Sequence, residues 1–311
     1  MENILIGIFQ LIVIVVVAPF LKAFIHKIKA ILRGQKGHSL FQPYRDIYKL
    51  LQKEAVISKD ASFISRTAPY MIFLSTIWAV LFLPVINSYT LLSFTGDIIA
   101  VVYILAFGTF FFVLYGMDQA SAFGGLGSSR EITISSLAEP ALMLIIFTFA
   151  IQTGSTNISE IFSKIHQTGI ATFPVSYIFA LMALFIIALA ENGRIPIDNP
   201  ETHLELTMVH EAMILEASGR HLALIEMASY IKLAVFITIA SNIFIPIGFY
   251  NEATITAILI GVIFYIIKLL IFAIPIAVVE MSIAKFRFFR VPEIIMLGFV
   301  LSVISLILHY L

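Results

Sequence analysis

The sequence predicts an all-α polytopic membrane protein with about eight transmembrane helices and three long polar loops on the cytoplasmic side. Of its 311 residues, 60% are hydrophobic and only 12% are charged, and the mean hydropathy is +1.02. Ordinary soluble domains carry about 25% charged residues. Apolar runs of about 20 residues, the length that a helix needs to cross a bilayer, recur along the whole chain. We therefore expect a single membrane domain over residues 1–311.

Eight stretches are apolar and long enough to span the bilayer. They cover residues 3–25, 68–89, 97–116, 132–153, 173–190, 222–248, 254–279 and 293–310. The first stretch lacks a basic region before it and a small-residue cleavage site after it, so we expect a retained helix rather than a signal peptide. The loops on one side of the membrane are then 26–67, 117–131, 191–221 and 280–292. No internal repeat is visible, which argues against a transporter built from inverted repeats.

The distribution of positive charge predicts the orientation. Of the 19 Lys and Arg residues, all but Lys164, Lys232 and Lys268 fall on the side of these four loops. Because cytoplasmic loops are enriched in Lys and Arg, we expect a multi-pass protein of the cytoplasmic (plasma) membrane with both termini outside. The formal net charge is zero, which gives no reason to expect a nucleic acid as partner.

The composition also bears on redox chemistry. The chain contains no cysteine, so it has no thiolate ligands for an iron–sulfur cluster, a nickel–iron centre or a structural zinc. If the protein serves a redox machine, the redox centres are expected on other chains. We therefore expect no cofactor in this chain.

The first loop contains a helical pattern with one basic face. Within residues 44–56, apolar Ile47 and Leu50 alternate with Arg45 and Lys49 at helical spacing. This pattern is typical of a helix that lies among lipid headgroups. The same helix also offers the floor of a docking surface for a soluble partner.

The loop 117–131 is rich in glycine and serine and lacks a P-loop pattern. We expect a flexible turn there, followed by a helix that begins at Ser128 or Ser129.

The segment 191–221, called the central segment below, is the most polar part of the chain. A block of polar residues between two apolar spans is costly unless it faces partner proteins, water or a proton route. Its carboxylates and arginines are Glu191, Asp198, Glu201, Glu205, Glu211, Glu216, Arg194 and Arg220. Its histidines are His203, His210 and His221. They lack the HExxH pattern, so we expect satisfied or solvent-facing histidines rather than metal ligands, although a pKa near 6.5 would allow proton transfer.

Within the central segment we expect a helix from Pro200 to Ser218. Asn199 is a suitable N-cap, proline is tolerated at the first helical position, and Gly219 is expected to end the helix. Leu204 and Met208 begin an apolar stripe along one face.

Five charged residues in or next to predicted spans are candidates for a role inside the membrane. They are Glu139, Glu226, Lys232, Lys268 and Glu280. A charge at the centre of a span costs about 2.5–3.5 kcal/mol on insertion scales, so it is usually paired or placed in a polar cavity. Buried ion pairs and snorkelling side chains explain each residue alone, whereas Glu139 together with the carboxylates of the central segment is better explained as a proton relay.

The motif ENGRIPIDNPE resembles the loop motif of the quinone-site membrane subunit of respiratory complex I, E-T-N-R-x-P-F-D-x-x-E. The continuation THLELTMVHEAMILEASGRHLALIE is similar to the form found in group 4 membrane-bound [NiFe] hydrogenases, including formate hydrogenlyase and archaeal ferredoxin-dependent complexes. His203 stands where complex I carries a glutamate, and extra residues precede Glu216. These departures argue against a working quinone tunnel.

The resemblance extends over nearly the whole chain. RGQKGHSLFQPYRDIYKLLQKE resembles the first cytoplasmic loop of this family, SREITISSLAEP the start of the fourth span with its buried glutamate, and FRFFRVPEIIMLGF the last loop. The resemblance implies a non-catalytic anchor subunit of a membrane-bound oxidoreductase. Its cytoplasmic loops would dock a hydrogenase-like module, and its acidic residues would couple electron transfer to proton or sodium movement.

The implied partners are hydrogenase large and small subunits, an iron–sulfur subunit and antiporter-like membrane subunits, which would carry the NiFe centre and the iron–sulfur clusters. The residues assigned to coupling are Glu139, Glu191, Asp198, Glu201, Glu205, Glu211, Glu216, Glu226, Lys232 and Lys268. Those assigned to docking or gating are Arg194, Arg220, Arg45 and Asp46. The alternatives are a quinone- or polysulfide-linked relative, a stand-alone ion transporter and a purely structural anchor.

Overall fold

The computed structural model describes residues 2–92, 97–169, 174–199, 208–248 and 255–310, which form a bundle of α-helices. The helices are α1 (Glu2–Leu32), α2 (Gln42–Leu51), α3 (Phe63–Leu81), α4 (Ile98–Asp118), α5 (Ala122–Thr153), α6 (Ile158–Thr168), α7 (Val175–Glu191), α8 (His210–Met213), α9 (Gly219–Phe244), α10 (Ile255–Ser282) and α11 (Val291–Tyr310), with a 3-10 helix at Phe288–Arg290. Among the described helices, seven are long and apolar enough to cross a membrane, and α7 is a shorter apolar helix. The predicted fold class, an all-α polytopic membrane protein with about eight membrane helices, is confirmed.

Helix α9 lies at the centre of the bundle. Every residue from Leu233 to Ile243 is buried, and α9 contacts α1, α2, α3, α7 and α10. The long apolar side chains of these helices interdigitate with it in one continuous core. Charged residues on α9 are therefore presented to several neighbouring helices at once.

Capping and proline set the ends of α3. Hydropathy alone places this span at 68–89, but the helix begins at Phe63 and ends at Leu81. The hydroxyl of the N-cap Ser62 accepts the backbone N–H two residues later at 3.1 Å. Pro84 disfavours helical backbone in the residue before it, so the apolar residues after Leu81 are buried in non-helical backbone. Burial of these residues explains why hydropathy extends the span too far.

Helices α1 and α5 are longer than the apolar stretches that predict them. Helix α1 continues to Leu32 rather than ending near residue 25, and α5 begins at Ala122 rather than at 132. The expected flexible turn over 117–131, with a helix beginning at Ser128 or Ser129, is therefore wrong: most of this segment is the first part of α5.

The glycines of α5 serve close packing. A Cβ atom on Gly124 would lie 2.3 Å from the carbonyl oxygen of Gly116 on α4, and one on Gly127 would lie 2.7 Å from the carbonyl oxygen of Val209. Small residues at helix contacts let two backbones approach closely in membrane proteins. The glycine-rich composition thus reflects contact with α4 and the central segment, not a flexible loop.

The described part of the central segment does not continue the expected helix to Ser218. Residues 200–207 lie outside the described residues, and the rest holds only the single turn His210–Met213. Gly219 begins α9 instead of ending a helix. Its φ is +51°, and a Cβ there would lie 2.3 Å from the carbonyl oxygen of Glu54. Glycine is required because the first loop packs against this backbone, which sequence spacing cannot reveal.

We predict that Gly124→Ala destabilises the protein by about 1–3 kcal/mol because the added methyl group would overpack the contact with α4. The matched control is Gly125→Ala, since a Cβ at Gly125 meets no atom within 4 Å. Thermal unfolding in mild detergent should show a lower midpoint for the first variant and an unchanged or higher midpoint for the second. Equal midpoints for the two variants would contradict the close helix contact.

Candidate functional site

A cavity of about 180 Å³ lies inside the bundle where α9 meets the central segment. Its walls come from α1, α3, α4, α5, α7, α8 and α9. One part of the wall is apolar, with Ile72, Leu105 and Ile225 among its side chains. The ionisable side chains that line it are Lys22, His26, Glu131, Glu191, Arg194, His210, Glu211, Glu226 and Lys232. Helices remote in sequence therefore bring titratable groups to one enclosed space.

Asp198 anchors the central segment at one end of this site. It is 1% exposed. One carboxylate oxygen accepts from Lys285 Nζ at 2.7 Å, and the other accepts the backbone N–H groups of Val209 at 3.1 Å and His210 at 3.0 Å. Burial alone would raise the pKa of Asp198, but His210 and Lys285 outweigh it and hold that pKa well below its usual range. The aspartate is thus held as a carboxylate.

His210 lies between two carboxylates. Its Nε2 is 3.4 Å from Oε1 of Glu131 on α5, and its Nδ1 is 3.8 Å from Oδ2 of Asp198. The backbone of Gly193 lies against the ring, where a Cβ would be 2.4 Å from Nδ1. Burial lowers the pKa of His210, but the charges of Glu131 and Asp198 outweigh it, so the net effect is a raised pKa.

Lys232 joins three helices in the middle of the bundle. Its Nζ lies 2.9 Å from Oε2 of Glu191, at the end of α7, and donates to the hydroxyl of Thr109 on α4 at 3.1 Å. Glu139 is half-buried in the middle of α5, and its electrostatic neighbours are Glu191 and Lys232. The buried glutamate of the fourth span is therefore close to the pair that lines the cavity.

A second branch runs from the central segment to α1. Lys22 on α1 lies 3.2 Å from Oε2 of Glu226 and donates to the hydroxyl of Tyr230 at 3.1 Å. Glu211 is near this pair. Burial first and then the charge of Glu226 raise the pKa of Glu211 to about 7, with Lys22 opposing. Glu211 is therefore able to exchange a proton near neutral pH.

Glu280 on α10 links two further cations. It lies 2.8 Å from Lys29 Nζ and 3.1 Å from Arg194 Nη1, and all three side chains are at least nine-tenths buried. Arg194, expected at a docking or gating position, is thus an interior residue whose partner is on α10. Breaking such a pair leaves an uncompensated buried charge.

The remaining sequence-predicted residues lie apart from the cavity. Lys268 donates to Oδ1 of Asn242 at 2.6 Å, and that amide donates to the carbonyl of Pro84 at 3.1 Å. The side chains exposed on the surface are Arg45, Asp46, Glu216 and Arg220. Glu201 and Glu205, both assigned to coupling, lie outside the described residues, as does His203. In the described part of the chain, no three His, Asp or Glu side chains cluster to hold a metal ion.

Several residues of the site do not follow from sequence reasoning. Those that the sequence does not assign to it are Lys22, Lys29, Thr109, Glu131, His210 and Lys285. Glu131 falls in a segment expected to be a loop, so its burial on α5 is unexpected. The small residues at Gly124, Gly127 and Ser128 carry the missing signal, because this spacing is typical of a close helix contact in a membrane.

An apolar helix bundle that contains paired charges defines an integral membrane protein. Comparison with known proteins specifies the class further. Residues 4–310 match the family model described as NADH dehydrogenase, and the chain therefore belongs to that family.

Two relatives in Escherichia coli (strain K12) are similar over almost the whole chain. Formate hydrogenlyase subunit 4 is 30% identical, over 96% of this chain and 95% of its own length. Hydrogenase-4 component C is 29% identical, over 95% of this chain and 92% of its own length. NADH-ubiquinone oxidoreductase chain 1 of Arabidopsis thaliana is 30% identical, over 66% of this chain and 63% of its own length.

A solved structure shares the fold. A chain of the membrane-bound sulfane sulfur reductase, an archaeal respiratory membrane complex, superposes with a TM-score of 0.86 at 19% identity, covering 99% of both chains. The predicted resemblance to subunits of hydrogenase and complex I-like complexes is thus confirmed. These relatives belong to membrane complexes of several subunits, the general kind of partner expected for this chain.

We predict that Glu280→Gln destabilises the protein by about 3–5 kcal/mol, because Lys29 and Arg194 would then be buried without a carboxylate. The control is Asp46→Asn, since Asp46 is exposed and accepts from Gln42 on its own helix. Its expected change is within about 0.5 kcal/mol. Thermal unfolding in detergent compares the two, and similar losses in both variants would contradict a buried three-residue ion cluster.

We predict that stability falls as pH rises from about 4.5 to about 7 through the Glu211 carboxyl. Its pKa is raised from 4.5 to about 7 in the folded protein, so the folded state binds the proton more tightly than the unfolded state in this range. The decline should be smaller in Glu211→Gln and unchanged in Glu216→Gln, whose side chain is exposed in the same segment. Melting midpoints measured across pH that decline equally in Glu211→Gln and the wild type would contradict this assignment.

Proposed function

We propose that this chain docks the hydrogenase-like redox module of an energy-converting membrane complex and couples its electron transfer to proton or sodium translocation. In this proposal the chain is a non-catalytic subunit of the cytoplasmic membrane with both termini outside. The NiFe centre and the iron–sulfur clusters belong to partner subunits, because this chain has no cysteine. The full-length similarity to subunits named for hydrogenase-4 and formate hydrogenlyase supports this assignment.

The observation that carries the proposal is the series of charged side chains around the cavity. It begins at Asp198 and His210 in the central segment, continues through Glu131, and reaches the pair of Lys232 and Glu191 in the interior. Ionisable residues inside a membrane protein are costly and usually mark ion or proton pathways. A structural anchor alone would not require titratable groups that connect a surface segment with the middle of the bundle.

The docking part of the proposal rests on how three surface segments are joined. Ser218, before α9, accepts the backbone N–H of Val56 in the first loop at 2.8 Å. Lys285, in the last loop, pairs with Asp198 of the central segment at 2.7 Å. The first, central and last loops therefore form one connected surface, on which the charged residues Arg45 and Arg220 are exposed.

The coupling part requires two states of this surface. Electron transfer on the docked module would change the charge or protonation near the central segment. A change in charge shifts an equilibrium only if the two states interact with it differently. Glu211, with a pKa of about 7, and the charges along the cavity are groups whose protonation would differ between two such states.

The main alternative is a quinone- or polysulfide-linked relative. The similarity in fold to a sulfane sulfur reductase subunit is consistent with it. However, small-molecule sites usually occupy about 300–1,000 Å³, whereas this cavity measures about 180 Å³. The small volume favours water and protons over a quinone headgroup.

We predict that Glu139→Gln keeps the complex assembled but lowers the number of ions moved per electron transferred by roughly tenfold or more, since a positioned proton-transfer group contributes about 10²–10⁴ in rate. Glu205→Gln of the central segment should act in the same direction. The measurement is electron transfer together with proton uptake and ²²Na⁺ uptake in inverted membrane vesicles.

The matched control is Glu160→Gln, which removes an exposed carboxylate on α6, away from the cavity. Its ratio of ions to electrons should equal that of the wild type. An unchanged ratio in both Glu139→Gln and Glu205→Gln would contradict the coupling role. Loss of assembly in both, with no change in ratio for the complexes that do form, would instead assign this chain a structural role.

A further inference from the structure

The His210 ring lies between two carboxylates, so its protonation state decides how much of their charge it neutralises. Both ring nitrogens face a carboxylate within ion-pair distance, Glu131 at 3.4 Å and Asp198 at 3.8 Å. A neutral imidazole has one N–H, whereas an imidazolium has an N–H on each nitrogen. At 3.8 Å, the contact of Nδ1 with Asp198 is an ion-pair contact and not a hydrogen bond. The two carboxylates come from different elements, α5 and the central segment, so the ring bridges them.

The two carboxylates are not equivalent. Asp198 already accepts four hydrogen bonds from residues that the structure describes. One comes from Lys285 Nζ, and three come from the backbone N–H groups of Asn199, Val209 and His210. Glu131 is 1% exposed, and its Oε2 has no hydrogen-bond partner among the described residues. Within that same part of the chain, no lysine or arginine lies within ion-pair distance of Glu131. Glu131 therefore depends on His210, or on a proton of its own, for neutralisation.

The other charged groups around His210 do not change this result. Glu211 adjoins it on α8, while α9 contributes Lys232 and the end of α7 contributes Glu191. Lys232 and Glu191 already form a pair at 2.9 Å. Helix α4 presents the Phe112 ring, whose centroid is 5.7 Å from that of the imidazole. The surroundings of His210 are thus anionic and partly apolar, which agrees with its raised pKa.

The charges of the whole site also indicate that it retains a proton. The carboxylates of the described site are Glu131, Glu139, Glu191, Asp198, Glu211, Glu226 and Glu280, and the cations are Lys22, Lys29, Arg130, Arg194, Lys232 and Lys285. Carboxylates exceed cations by one. Because an uncompensated buried charge is strongly unfavourable, the site is expected to retain a proton. The contact of His210 with Glu131 joins a histidine to a buried carboxylate that has no lysine or arginine at ion-pair distance among the described residues.

We propose that His210 and Glu131 together hold one exchangeable proton, that Asp198 is the fixed anion that orients the ring, and that this pair passes protons between the central segment and the cavity. This inference rests on the proposed coupling function. In the transfer, the N–H bond at Nε2 breaks and an O–H bond forms at Glu131, which leaves both groups neutral. Glu131 then releases the proton to water in the cavity, and the imidazole is protonated again from the central segment.

The direct test is pH-titrated infrared difference spectroscopy of the complete complex in membranes, with and without ring-labelled histidine. Subtracting the His210→Gln spectrum from the wild-type spectrum should isolate one imidazolium band with a midpoint above 6.5, the ordinary value. His38→Gln, which alters an exposed histidine of the first loop, should leave that band unchanged. A midpoint at or below 6.5, or no band that depends on His210, would overturn the proposal.

If the complex with His210→Gln fails to assemble, Glu131→Gln provides a second test, because His210 is retained and its titration midpoint can still be measured. Burial lowers the pKa of His210, and the negative charge of Glu131 raises it. Without that charge, the titration midpoint of His210 should fall by about one pH unit or more. An unmoved midpoint would overturn the shared proton.

Vesicle transport separates this inference from the proposed function. His210→Gln should lower the ratio of ions moved to electrons transferred. If Glu139→Gln lowers the ratio and His210→Gln does not, the proton-sharing pair is rejected while the coupling function stands. If neither variant lowers it, the coupling function is rejected and this inference with it.

Discussion

Several ion pairs in the interior of this bundle link helices that are remote in sequence. A charge at the centre of a membrane costs about 2.5–3.5 kcal/mol on insertion scales, so an unpaired lysine or glutamate would oppose insertion. Lys232 pairs with Glu191 across α9 and α7, Lys22 with Glu226 across α1 and α9. Glu280 on α10 holds two cations. The requirement for pairing therefore fixes which helices are neighbours, and it places α9 between the others.

The same requirement explains how the surface is connected to the interior. Asp198 accepts from Lys285 and from the backbone N–H groups of Val209 and His210, so it joins the last loop to the central segment. His210 then reaches Glu131 on α5. A change of charge at the surface would meet, within a few contacts, the buried carboxylate of Glu131, which has no lysine or arginine at ion-pair distance among the described residues. This arrangement gives the proposed coupling a physical route without requiring a redox centre in the chain.

Much of the fold follows from sequence because it depends on local properties. Apolar runs of bilayer length specify the membrane helices, and the position of Lys232 within such a run already marks it as a buried charge that needs a partner. The partners themselves are not local: Lys22 and Glu226 are 204 residues apart in sequence. No spacing rule predicts a pair of that separation.

The errors have the same origin. Local sequence predicts that Gly219 ends a helix, yet it begins one because its positive φ and lack of a Cβ admit the backbone of the first loop. Glycine content predicts a flexible segment before Glu131, yet this segment is helical because α4 and the central segment pack on it. In both places the structure depends on a contact with a segment that is distant in sequence. The local sequence shows that glycine is present but does not show which segment packs against it.

The central claim is that the charges around the cavity transmit coupling and do not merely hold the helices together. The double variant Glu191→Gln/Lys232→Met tests it most directly, because removing both partners leaves no uncompensated buried charge and is often tolerated. The measurement is the number of ions moved per electron by the assembled complex in vesicles. We expect an assembled complex in which this ratio falls roughly tenfold or more; an assembled complex with the wild-type ratio would contradict the account.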